Sequence, residues 1–362
     1  LEFVRWEPMA FVALSLRMRA DALPIRLGGL FVTKTSRLAW LKIDRFTLML
    51  LGTLLLASLL PARGDLVPAV DLLGRILIIA LFFIHGARIP RAAIVGAVGQ
   101  WKLQLLILLA TFALFPLIGI AMMPLSGLII APTLFTGILF LCCLPSTVQS
   151  SIALTSIARG NVPAAVCAAA ASNLAGVLFT PLLTGLLLAS SAAISMESVW
   201  TIIGLILVPF AVGQALHPLL GGWLGRHKLL TTFIDRGAIL VMVYGAFGKA
   251  VTGGLWQSIS GVDLAILFVA CLLILALVFG VLSLIARLGK LARPDEATLV
   301  FCGSVKSLAT GVPMANVLFP AATAGAIVLP VMMFHIVQLV TGAFLARAYE
   351  RRAVAAEAAE AS

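Results

Sequence analysis

Leu144-Pro145-Ser146-Thr147-Val148-Gln149-Ser150-Ser151 interrupts a run from Leu103 to Ala158 that contains no Asp, Glu, Lys, Arg or His. That run is longer than the ~20 helical residues that cross a bilayer core, so the polar, proline-bearing tract lies at membrane depth. Backbone groups freed there find no water, and such a break persists only where it lines a cavity or is buried in protein. A second tract of this kind, Gly303-Ser304-Val305-Lys306-Ser307-Leu308-Ala309-Thr310-Gly311-Val312-Pro313, leads into another uncharged run that ends at Phe334. Together the two breaks predict an all-α polytopic membrane protein with a site where two interrupted helices meet.

The rest of the chain agrees. Of its 362 residues 62% are hydrophobic and 11% charged, with a mean hydropathy of +1.16, whereas soluble domains carry about 25% charge. Ten apolar spans can be drawn, near 43–60, 66–87, 98–121, 131–157, 163–189, 199–220, 237–256, 263–286, 296–319 and 321–346. The net charge of +11 would suggest nucleic acid in a soluble protein, but 21 of the 25 basic residues alternate to one side of these spans. Positive charge marks cytoplasmic loops, so the excess is a topology signal and no nucleic-acid partner is expected. Both termini are placed in the cytoplasm, the chain in the cytoplasmic (inner) membrane, and the lipid bilayer is its first partner. Residues 1–42 mix Arg and Lys with Pro and Gly and read as a cytoplasmic arm, with 349–362 as a cytoplasmic tail. The basic stretch up to Arg45 leads into the first span without a small-residue cleavage site, so that span is expected to be retained.

Ten spans divide into five-helix halves, 43–190 and 198–348. Five is odd, so the second half enters the membrane from the opposite side, the inverted-repeat arrangement of many secondary transporters. Both breaks fall in the fourth span of their half. Half-helices that begin at such breaks aim their N-terminal N–H groups, and a partial positive charge, at the membrane interior, which favours an anion. The candidate binding residues are therefore Ser146, Gln149, Ser150 and Ser151 in the first break and Ser304, Lys306, Ser307 and Thr310 in the second. Lys306 has no acidic partner in reach by sequence, and an ionisable residue inside a membrane is a functional candidate by default; the plain alternative is that it caps a broken helix. His335 and Gln338, three apart on the tenth span, share a face toward the same region, although a packing histidine is the plainer reading of His335.

Other chemistries fail. Cys142, Cys143, Cys167, Cys271 and Cys302 lie in apolar runs without metal-ligand or disulfide spacing. No G-x-x-x-x-G-K-[ST], H-E-x-x-H or G-x-S-x-G is present, so the chain is not read as an enzyme, and no cofactor is expected beyond a coupling ion.

The chain resembles the bile acid:sodium symporter family, solute carrier family 10, in its member-seven-like bacterial branch. The resemblance covers about 43–347. It rests on Pro145 with Ser150-Ser151 through Ala158-Arg159-Gly160-Asn161, on Ser172-Asn173 and Thr180-Pro181, on Pro294-Asp295, and on Phe301-Cys302-Gly303-Ser304 with Lys306-Ser307 and Gly311-Val312-Pro313-Met314. It implies ten helices in two inverted repeats, a core domain in which helices four and nine are unwound and cross, and a panel domain of spans one, two, six and seven. It also implies transport of a small organic anion by alternating access. A membrane regulator or sensor that binds an anion on the same fold without net transport is the alternative. Family sodium ligands carried onto this chain fall at Ser150, Ser151, Asn173 and Ser304, with Leu308 as a fifth position. Sodium-coupled members have a glutamate and a glutamine where this chain has Ser304 and Leu308, and a glutamine where it has Thr111. The coupling ion is left open between sodium, a proton and none, with Lys306 as a fixed cation that could replace sodium, and Ser304, Ser151 and Asn173 as its expected oxygen partners.

Overall fold

A computed structural model describes residues 45–89, 99–188, 200–201 and 203–360. The arm 1–42 and the link around Ser195 and Glu197 lie outside the described residues. Among the described residues the regular structure is helical, apart from one bridge between Ser126 and Ile130 in a turn. The helices are α1 (Arg45–Leu59), α2 (Leu66–Arg88), α3 (Trp101–Ala121), α4 (Pro132–Cys143), α5 (Gln149–Ile157) and α6 (Val162–Leu188). They continue with α7 (Ile203–Arg226), α8 (Lys228–Thr252), α9 (Gly261–Leu288), α10 (Arg293–Ser304), α11 (Leu308–Leu318) and α12 (Ala321–Glu360).

Among the described residues, eight helical segments are long and apolar enough to cross a membrane, with α10 and α11 counted as one. Their outward faces carry Leu186, Leu219, Leu273 and Phe233, all well exposed, as suits a surface bathed in lipid. α10 and α11 are instead almost wholly covered by their neighbours. The chain is a multi-pass membrane protein.

Local chemistry sets the helix ends. Before α9, Ser260 and Asp263 form a capping box: the Ser260 hydroxyl accepts from the Asp263 N–H at 3.2 Å and the Asp263 carboxylate accepts from the Ser260 N–H at 2.8 Å. That satisfies two donors the helix start leaves free. α2 and α7 pack along each other through reciprocal glycines: a Cβ on Gly86 would lie 2.1 Å from the carbonyl oxygen of Phe210, and one on Gly213 would lie 2.1 Å from that of Phe83. Only backbones without side chains approach so closely. α8 packs on α1, α2, α11 and α12, while α12 also packs on α4 and α9.

One expectation is corrected. The loop drawn between the sixth and seventh spans is a single residue, His227, because Lys228–Arg236 extend α8 outward instead of unwinding. The tail from 349 is helical to Glu360, since its Ala-rich sequence has the highest helix propensity. Asp71, which has Arg75 one turn on in its own helix, binds Lys249 of α8 with Nζ 2.5 Å from Oδ1; a cross-helix partner outcompetes the local i, i+4 geometry.

Candidate functional site at the crossing of two broken helices

Pro145 ends α4. Leu144 is extended, with φ −73° and ψ 151°, as a residue before proline prefers, and the helix resumes only at Gln149. The second break is shorter: Val305 is extended at φ −94° and ψ 148°, Ser307 likewise at φ −84° and ψ 110°, and α11 starts at Leu308. The breaks therefore span 144–148 and 305–307, narrower than the polar tracts; Ser150 and Ser151 are already helical, and Pro313 sits inside α11. The two breaks touch, the Ser307 N–H donating to the Pro145 carbonyl at 2.9 Å. A glycine makes room for this: a Cβ on Gly176 of α6 would lie 2.7 Å from the Pro145 side chain.

Lys306 occupies the crossing and is 1% exposed. Its ammonium donates to the carbonyl oxygens of Thr111 at 2.8 Å, Cys142 at 3.0 Å and Leu144 at 2.7 Å, one acceptor for each of its three protons. Each acceptor is an orphan for a reason visible in the sequence. Cys142 and Leu144 lose their helical donors because α4 stops at Pro145. Thr111 lies in a π-helical turn, Ala110–Leu114, in which the Phe115 N–H donates to Ala110; the next donor in that pattern would be residue 116, a proline without an N–H. The Phe115 ring closes the cage, its centroid 4.0 Å from Nζ, a cation–π distance. The expected partners Ser304, Ser151 and Asn173 are not those of Lys306, because prolines, not side-chain oxygens, supply the free acceptors.

Gln338 holds the lysine backbone: Oε1 accepts from the Lys306 N–H at 2.7 Å, and Nε2 donates to the Lys306 carbonyl at 2.9 Å. His335 Nδ1 lies 3.1 Å from the same Nε2, so both residues predicted to face this region reach it. Around the first break, the Ser146 N–H donates to Ser172 Oγ at 2.9 Å and Ser146 Oγ donates to the Cys302 carbonyl at 2.7 Å. Asn173 Nδ2 donates to the Ser146 carbonyl at 3.0 Å and to Ala169 at 2.9 Å, and Thr180 Oγ1 satisfies the Cys143 carbonyl at 2.8 Å.

The candidate sodium residues are differently employed. Ser150 Oγ pairs with Thr147 Oγ1, and Ser151 Oγ donates to the Thr147 and Val148 carbonyls. Ser304 Oγ and Thr310 Oγ1 are buried and lack a hydrogen-bond partner, while Ser307 Oγ caps α11 by accepting from the Thr310 N–H at 3.3 Å. Gln149 is exposed. A sodium ion among these neutral oxygens would sit in the same crossing as the fixed charge of Lys306, with no carboxylate of a described residue bonded to that lysine to balance it. The residues present do not fit a sodium site. Pro116 and Phe115 went unnoticed in the sequence, although a proline five residues after Thr111 is a signal for an orphaned carbonyl in that span.

The model of the SBF-like CPA transporter family matches residues 44–351. A Pseudomonas aeruginosa protein of uncharacterized function, PA2026, is 48% identical over 311 residues, covering 85% of this chain and 93% of that protein. "Putative symporter YfeH" of Escherichia coli strain K12 is 45% identical over 311 residues, covering 86% and 94%. Sodium/bile acid cotransporter 7 of Xenopus tropicalis is 27% identical over 292 residues, covering 78% and 83%. With its two interrupted helices inside a match that runs nearly end to end, the chain belongs to the SBF-like CPA transporter family, among the bile acid:sodium symporters, and is a transporter rather than an enzyme.

Proposed function

We propose that this protein is a secondary active transporter of a small or amphipathic organic anion, working by alternating access across the cytoplasmic membrane. In this reading α1 and the interrupted pair α4–α5 are the two short crossings that bring the eight long ones to ten. The halves 43–190 and 198–348 are inverted repeats, α1, α2, α7 and α8 form the panel, and the remaining helices form the core. The close packing of α2 on α7 and of α8 on α1 and α2 supports the panel grouping. Both termini lie in the cytoplasm, supported by the 21 of 25 basic residues that alternate to that side.

One observation carries the sign of the substrate: the crossing contains a buried ammonium whose hydrogen-bond partners are all neutral. The lysine spends its three protons on orphaned carbonyls, so it does not grip a substrate directly; it raises the electrostatic potential at the crossing, where α5 and α11 begin. The buried hydroxyls of Ser304 and Thr310 are available to an incoming oxygen. Lys306 takes the place of a coupling sodium, and a proton gradient supplies the drive.

The test is flux. Full-length protein in sealed vesicles is loaded with a library of carboxylates and sulfonates, and counterflow is measured. Accumulation of an anion supports the reading. Binding of library members without flux would indicate a sensor, and uptake of organic cations alone would reverse the sign.

A further inference from the structure

α12 runs for 40 residues, about 60 Å at 1.5 Å per residue and twice the ~30 Å hydrocarbon core. Its apolar stretch ends at Arg347, so its last turns stand beyond the acyl chains, at the level of lipid headgroups. There a cleft of about 670 Å³ opens between this extension, the turn after α5, the end of α9 and the start of α10. Four guanidinium groups border it, Arg159, Arg287, Arg293 and Arg352, against two carboxylates, Glu296 and Glu357.

Both carboxylates are already engaged. Arg159 Nη1 donates to the two oxygens of Glu357 at 2.8 and 2.7 Å, and Glu296 accepts from the Tyr349 hydroxyl at 2.9 Å. No carboxylate of a described residue lies within ion-pair distance of Arg287, Arg293 or Arg352. Three exposed guanidinium groups from three different helices thus border one cleft with a net positive charge, which attracts an anion. The planar fork of guanidinium matches phosphate oxygens in paired hydrogen bonds, and at this depth the abundant phosphate is that of the lipids. Basic pockets between membrane helices on the cytoplasmic side take such headgroups.

We propose that this cleft binds the phosphate of an anionic phospholipid, with Arg287, Arg293 and Arg352 as its ligands. The bound headgroup ties α9, α10 and α12 together, and through the Arg159–Glu357 pair it reaches the turn that follows the broken helix α5.

The test uses the detergent-purified full chain, with phosphatidylglycerol, phosphatidylcholine and inorganic phosphate as probes and native mass spectrometry as the readout. One phosphatidylglycerol per chain is expected to be retained over phosphatidylcholine. Each Arg→Gln change at 287, 293 or 352 should weaken retention about fivefold, as expected for ~1 kcal/mol per basic group at a membrane surface. Arg63→Gln and Arg75→Gln, outside the cleft, should leave it unchanged. If the triple Gln variant does not fold, the single variants carry the same comparison. Equal retention by the wild type and these variants, or no preference over phosphatidylcholine, overturns the proposal. Inorganic phosphate binding with the same arginine dependence, in the absence of lipid retention, overturns the lipid as the source.

Discussion

The ammonium of Lys306 stands 2.7 Å from the carbonyl oxygen of Leu144, the residue that Pro145 takes out of the helix. A lysine from one broken helix thus completes the hydrogen bonding of the other, and cutting the side chain leaves three buried carbonyls without a donor. Each such loss costs about 1–3 kcal/mol, so Lys306→Met is expected to lower the thermal midpoint of the purified protein by many degrees. Lys306→Ala leaves a three-carbonyl vacancy of cation size. Its midpoint is expected to rise with ammonium or sodium chloride relative to choline chloride, while the wild type shows no such difference. A variant as indifferent to these cations as the wild type would mean that the cage collapses when emptied.

Transport by the wild type is expected to be independent of a sodium gradient, because the crossing already holds its positive charge covalently. Uptake into vesicles with a sodium gradient, a proton gradient or neither checks this. Strict sodium dependence, with unimpaired uptake in Lys306→Gln, would return the lysine to a purely structural cap.

Gln338 makes both backbone hydrogen bonds of Lys306. Gln338→Leu removes the two together and is expected to destabilise the protein by about 1–3 kcal/mol for each buried group left unpaired. Gln338→Glu keeps the acceptor for the Lys306 N–H but cannot donate to its carbonyl when ionised, so an intermediate loss is expected in a thermal unfolding series.

Gly213 meets the Phe83 carbonyl across the α2–α7 contact. Gly213→Ala must push the helices apart and is expected to cost about 1–3 kcal/mol, whereas Gly222→Ala, with open space around it, should be close to neutral. Equal thermal midpoints for the two variants would contradict the close approach.

Asp235 of α8 accepts from Arg88 of α2 at 2.7 Å, with His85 Nε2 3.8 Å from its other oxygen. The carboxylate is 12% exposed and the guanidinium 36%. Asp235→Asn leaves the cation partly buried and unpaired, and a loss of about 1–3 kcal/mol is expected, below the full cost of a buried pair because of solvent screening. Arg88→Gln combined with Asp235→Asn should recover part of it, which a double-mutant cycle measures.

The two breaks were legible because a proline and a lysine stand out in an apolar run, and the positions of Gln338 and His335 followed from helical spacing. The partners of Lys306 were not legible, since carbonyl oxygens belong to every residue and only the helix interruptions decide which are free. The partner of Asp71 was not legible for a related reason: an i, i+4 neighbour is visible in a sequence, and a lysine of another helix is not. The single-residue link at His227 and the helical tail to Glu360 show the same limit at span ends, where hydropathy marks where lipid stops and not where the helix stops.

The cage around Lys306 is made of main-chain oxygens, so mutation cannot retune it one ligand at a time. Replacing the side chains of Thr111, Cys142 or Leu144 leaves all three oxygens in position, whereas replacing Pro116 or Pro145, neither of which touches the ammonium through its own oxygen, returns a carbonyl to its helix. Among diverging descendants of this chain the residues that contribute the ligands are free to drift, and the inheritance of the site runs through two imino acids and one lysine.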